Sequence, residues 1–88
     1  MNKEEAGNLS PEVIRTLLDS ASSRSWAGLH RAAHAELERP EGPRFEENVL
    51  NDIVAVARLK DEESEEFPGD FEDLVATINR TDKALPHQ

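Results

Sequence analysis

Two residue groupings have the types and spacing that chemistry requires. His30 and His34 stand four apart in Trp26-Ala27-Gly28-Leu29-His30-Arg31-Ala32-Ala33-His34, so on a helix both imidazoles reach one side. Neutral imidazole is a good ligand for zinc and its neighbours. The spacing is also half of a zinc-protease motif, but that chemistry needs Glu after the first His, and Arg31 stands there. His30 falls within the apolar stripe of its helix and His34 at its edge, so the expectation is one partly buried and one boundary histidine, with no metal ligand in either.

The second grouping is acidic. From Asp61 to Asp73 the chain carries Asp61, Glu62, Glu63, Glu65, Glu66, Asp70, Glu72 and Asp73, with no base among them. Asp61–Glu72 has the length of an EF-hand calcium loop, with acids at both ends. The sharp turn at the sixth position, however, would fall on Glu66 rather than Gly, and Pro68 takes the apolar eighth position. No EF-hand is expected. The segment reads either as a solvated connector or as an anionic patch for Lys and Arg on a partner. On the second reading Glu62, Glu63, Glu65, Glu66, Asp70 and Asp73 are the expected partner contacts.

Other chemistry is missing its context. Glu46 and Glu47 are adjacent, and adjacent helix positions point apart. Ser20, Ser22, Ser23 and Ser25 lie in no nucleophile elbow, and there is no Gly-rich phosphate loop. No enzyme, cofactor or catalytic residue is expected. In length, acidity and helix number the chain resembles acyl carrier proteins in outline. Their function needs a Ser within Asp-Ser-Leu at the start of the second helix. Ser25 holds that place, but between Arg24 and Trp26, while Asp19-Ser20 ends the first helix. Carrier function is therefore not expected.

The elements that would position these residues are helices. Apolar residues recur at helical spacing in four stretches, and no alternating strand pattern occurs. A first helix over about 10–21 is announced by Ser10 as cap, Pro11 at the first position and Glu12 against the dipole. Leu9 and Ile14 are placed for a hydrophobic staple. A second, about 25–39, gathers Trp26, Leu29, Ala33 and Leu37 on one face and must stop at Pro40. A third, about 43–60, carries Phe45, Val49, Leu50, Ile53, Val54, Val56, Ala57 and Leu59 around half its surface, which suits a central helix. A fourth, about 70–80, opens with Asp70 as cap and Asp73 three residues on, and presents Phe71, Leu74, Val75 and Ile78.

These elements predict an all-α fold, a small antiparallel bundle of three or four helices in a single domain over 9–85. A flexible N-terminus (1–8) and a C-terminal tail (86–88) flank it. With 88 residues and no Cys, packing alone must stabilise the fold, or a partner must add to it. No apolar run is long enough for a signal peptide or membrane span, and a cytoplasmic location is expected.

Net charge is −9 and uneven. Residues 1–44 hold seven acids and six bases, a net −1, whereas 45–88 hold twelve and four, a net −8. Such a field repels nucleic acid and steers encounters with basic surfaces. The expected function is a small acidic binding protein that inhibits or masks a basic macromolecular surface, in the manner of an immunity protein, an antitoxin-like neutraliser or a phage-type inhibitor. The alternative is a helical homodimeric adaptor or assembly subunit with an apolar interface along the third helix.

Overall fold

The computed structural model describes residues 9–85, and the expected flexible stretch 1–8 and tail 86–88 lie outside them. The fold is an all-α bundle of four helices: α1 (Pro11–Ser20), α2 (Trp26–Leu37), α3 (Glu47–Glu62) and α4 (Phe71–Ala84). No strand occurs among the described residues.

The start of α1 is set by local chemistry. Ser10 is extended, its hydroxyl accepts the Glu12 N–H, and Pro11 occupies the first turn, where no N–H is missed. Leu9 and Ile14 are both buried, closing the hydrophobic staple. The Leu9 N–H also donates to Asn79 Oδ1 at 2.6 Å, tying this end of α1 to α4. A second tie is the Arg15 guanidinium, 4.0 Å above the Phe71 ring.

Helix α3 is central. It packs most extensively on α2 and also on α4, and Leu50, Ile53, Val56 and Ala57 are fully buried between them. Val49, Val54 and Leu59 stay half-buried at its flanks. Trp26, Leu29 and Ala33 of α2, Val13, Ile14, Leu17 and Leu18 of α1, and Leu74 and Ile78 of α4 complete one core. The β-branched run in α3 lowers helix propensity, and burial on two sides overrides it.

The connection before α2 depends on one close approach. Ser25 caps α2 by accepting the Gly28 N–H at 3.0 Å. A Cβ on Gly28 would stand 2.2 Å from the Ser23 carbonyl oxygen, so the 21–25 segment lies directly on the helix there. Gly28→Ala should therefore destabilise the fold by about 1–2 kcal/mol, because overpacking against backbone outweighs the helix propensity of Ala. A chemical-denaturation curve with an unchanged or higher midpoint would refute this contact.

Helix α3 begins four residues later than the expected 43. Pro43 suits a helix start, but the Arg44 N–H is taken by the Glu36 carboxylate at 2.7 Å, the chain bends at Arg44 and Phe45, and the extended Glu46 is the N-cap. The turn before it, Pro40-Glu41-Gly42-Pro43, places Gly42 at φ +96, where residues with a side chain are strained. At its other end α3 runs on through Asp61 and Glu62, so part of the expected acidic connector is helical.

Candidate functional site

The six acidic residues expected to touch a partner follow one another around the α3–α4 junction. Glu62 is the last residue of α3, Glu63 its C-cap, and Glu65 and Glu66 lie in the loop. Asp70 is the N-cap of α4 and Asp73 stands in its first turn. All six are exposed.

Two devices fix this stretch. The first is the end of α3: Ser64 adopts a left-handed conformation (φ 57), its N–H donates to the Asp61 carbonyl at 3.1 Å, and the Glu65 N–H donates to the Lys60 carbonyl at 3.0 Å. This is the paired hydrogen-bond pattern of a Schellman cap, in which Gly is the favoured left-handed residue. Ser64→Gly should thus raise stability by about 1 kcal/mol by removing the Cβ cost of that conformation. A thermal melt showing a lower midpoint for the Gly variant would contradict the cap. The second device is Trp26. Its indole N–H donates to the Glu66 carbonyl at 3.2 Å, and its ring meets Phe67 edge-on at 4.9 Å. Trp26 is 3 % exposed and belongs to the core, so the acidic loop is pinned to the body of the bundle.

Electrostatically the stretch is nearly uniform. Among the described residues only Arg58 forms an ion pair with it, 3.4 Å from Glu62, between side chains 70 % and 63 % exposed. At that exposure the pair contributes a few tenths of a kcal/mol and neutralises little. Asp70 accepts the Asp73 N–H at 3.2 Å, and both carboxylates favour the positive end of the α4 dipole. The arrangement displays negative charge on exposed side chains. Asp61–Glu72 begins in helix rather than in a loop. Among the described residues no group of three or more His, Cys, Asp or Glu is gathered to hold a metal.

His30 and His34 project from one side of α2. His30 is half-buried and His34 exposed, with ring centroids 6.2 Å apart and planes 25° from parallel. They line a shallow hollow of about 370 Å³ together with Arg31, Ala35 and Glu38.

A third cluster lies between α1, the end of α2 and the turn that follows. Glu36 is 4 % exposed, a carboxylate inside the fold. Arg44 grips it bidentately, Nε to Oε2 at 3.0 Å and the other guanidinium nitrogen to Oε1 at 2.9 Å, in addition to the backbone bond. Arg39 Nε lies 3.7 Å from Glu36 Oε2, and Arg39 also reaches Glu41 at 3.5 Å. The Arg44 hydrogen bond holds the Glu36 carboxyl below its usual range, against burial, which pushes it up. A hollow of about 210 Å³ beside the cluster is lined by Glu36, Arg39 and Arg44 with Ser20, Ala32 and Ala35.

The sequence reading singles out none of Glu36, Arg39 and Arg44. The available signal was the position of Glu36: at 100° per residue it lies beside Leu29 within the apolar face of α2. An acid placed there needs a buried partner. Because both helix ends nearby present carbonyl groups, the two arginines also suit them electrostatically. The cluster reads as structural, joining α2 to the start of α3.

No helix among the described residues is long and apolar enough to cross a membrane. No protein-family model matches the sequence, and neither curated proteins nor solved structures yield a significant match to it.

Proposed function

We propose that this chain is a small acidic binding protein that covers a basic surface on a macromolecular partner, inhibiting or masking it without catalysis of its own. The observation that carries the proposal is the pinned acidic loop. Glu62, Glu63, Glu65, Glu66, Asp70 and Asp73 are all exposed on a stretch fastened by Trp26 and Phe67. A mobile acidic tail can keep a protein soluble, and it must be ordered when it binds. A fixed row of carboxylates can also match a fixed pattern of Lys and Arg, and loses less entropy on binding. Its sign disfavours direct contact with nucleic acid, so the expected partner is a protein, including one whose basic surface itself binds nucleic acid. A chain without Cys needs no oxidising compartment, in keeping with action in the cytoplasm.

Affinity capture tests this with the full chain and a variant carrying Glu62, Glu63, Glu65 and Glu66 as Gln. The expected result is a protein retained by the parent at low salt, released as salt rises, and not retained by the variant. Equal retention by both chains, or no salt-sensitive protein retained at all, would overturn the proposal.

The second reading, a homodimer joined through the third helix, rested on an apolar surface too wide for one small core. Leu50, Ile53, Val56 and Ala57 are buried within the chain itself, and Val49, Val54 and Leu59 are the residues left half-covered. These three support it less strongly than the exposed carboxylates support the first reading. A dimer in sedimentation that persists unchanged at high salt would favour it.

A further inference from the structure

We propose that His30 and His34 form a binding site for a late divalent transition metal ion, with Glu38 orienting His34. The residues stand one helical turn apart, and their rings lie side by side and close to parallel on one edge of the hollow. At i and i+4 on a rigid helix, small rotations about the side-chain bonds bring two imidazole nitrogens to one ion. The helix is the expensive part of such a site, and here it is already built.

The sequence offered the two histidines. The structure adds Glu38, whose Oε1 lies 3.7 Å from His34 Nδ1. That distance is longer than a hydrogen bond and both side chains are exposed, but a small approach of the carboxylate would let it accept the Nδ1 proton and leave the Nε2 lone pair to a metal. Histidine ligands are commonly oriented by an outer carboxylate in this way. Ala35 leaves room in the hollow, and Arg31 is exposed, so its charged end can swing into solvent.

The donor set determines the class of ion. Two imidazoles select Cu²⁺, Ni²⁺ and Zn²⁺ over Mg²⁺ and Ca²⁺, which prefer oxygen. Among the described residues no third His, Cys, Asp or Glu is gathered with them, so the site supplies two protein ligands and leaves the remaining positions to water or another donor. The protein's net charge of −9 favours accumulation of cations around it, and Cu²⁺ binds more tightly than Zn²⁺ at oxygen and nitrogen donors alike, so substitution of the histidines, rather than the order of ions, identifies the site.

Calorimetric titration of the full chain with Cu²⁺ and with Zn²⁺ tests the site in a buffer that does not chelate metals. His34→Ala should weaken both ions at least tenfold, and His30→Gln likewise, with metal-free melts showing that each variant folds. Glu38→Gln should weaken them by about threefold to tenfold, below the roughly 10–100-fold usual for outer-shell partners because this one is exposed. The variant with Gln at 62, 63, 65 and 66 should bind within twofold of the parent. Excess Ca²⁺ should not displace the bound ion, and Cu²⁺ should bind more tightly than Zn²⁺. Affinity unchanged by His34→Ala, or lost with the four carboxylates, would overturn the proposal.

Discussion

Trp26→Ala is expected to cost about 3–5 kcal/mol, the range for truncating a large aromatic in a packed core. A chain of this length has on the order of 4–13 kcal/mol in total, so the variant should be unfolded or close to it at physiological temperature. Three contributions are lost together. The indole is 3 % exposed among core residues, meets Phe67 edge-on, and donates to the Glu66 carbonyl. Trp26→Phe keeps most of the buried area and loses the hydrogen bond, so it should cost only about 1–2 kcal/mol. Because Trp26 is the sole tryptophan, circular dichroism rather than fluorescence is the suitable readout for both. Equal stability of Trp26→Ala and the parent would mean that the acidic loop is not anchored there. In the parent, Phe67→Leu should move the Trp26 emission to longer wavelength as the loop loosens.

Glu36→Ala ranks second, at about 2–3 kcal/mol. It removes a carboxylate that accepts three hydrogen bonds from Arg44, and charge-assisted bonds contribute about 1.5–3 kcal/mol each when lost singly. The losses do not add, because Arg44 is half exposed and recovers water once released. For a domain this small the midpoint should fall by roughly 10–20 °C. Should the melt shift by less than the few degrees typical of a surface substitution, the clamp would not be holding the α2–α3 turn.

The same carboxylate makes the stability dependent on pH. Its folded pKa lies below the ordinary 4.5, chiefly through the Arg44 hydrogen bond. The unfolded state therefore binds its proton first as pH falls, and the contribution of Glu36 is present in full only above that ordinary value. It should shrink as pH drops from about 4.5 through the depressed folded value. The stability gap between the parent and Glu36→Gln should accordingly be constant from pH 7 to about 5 and narrow below 4.5. A gap that widens on acidification would reverse the assignment.

What was legible in the sequence was local. Ser10, Pro11 and Leu9 announce α1 because cap, first-turn proline and staple all act within five residues. Asp70 announces α4 in the same way. The apolar faces were legible because burial follows helical period, and α3 was recognisable as central from the width of its stripe. What escaped depends on residues far apart in the chain. The start of α3 is displaced by Glu36, eight residues before Arg44. The acidic loop is held by Trp26, forty residues before Glu66. The need for Gly at 28 comes from the backbone of Ser23 folding against it. For the candidate site, the sequence supplied which residues are acidic and that no base lies among them. It could not show that Ser64 turns left-handed or that the loop is fastened, and that fastening is what supports the proposed binding surface over the reading as a solvated connector.

The most direct test is the association rate of the captured partner as a function of ionic strength, measured with the parent chain and with charge-neutralised variants. Steering by a fixed anionic surface predicts fast association at low salt, falling steeply as salt rises. Each of Glu62, Glu63, Glu65, Glu66, Asp70 and Asp73 changed to its amide should lower the low-salt rate and flatten that slope, with dissociation changed less. Association that is independent of salt, or a slope unaltered when all six carboxylates are neutralised, would contradict the assignment of this loop as the binding surface.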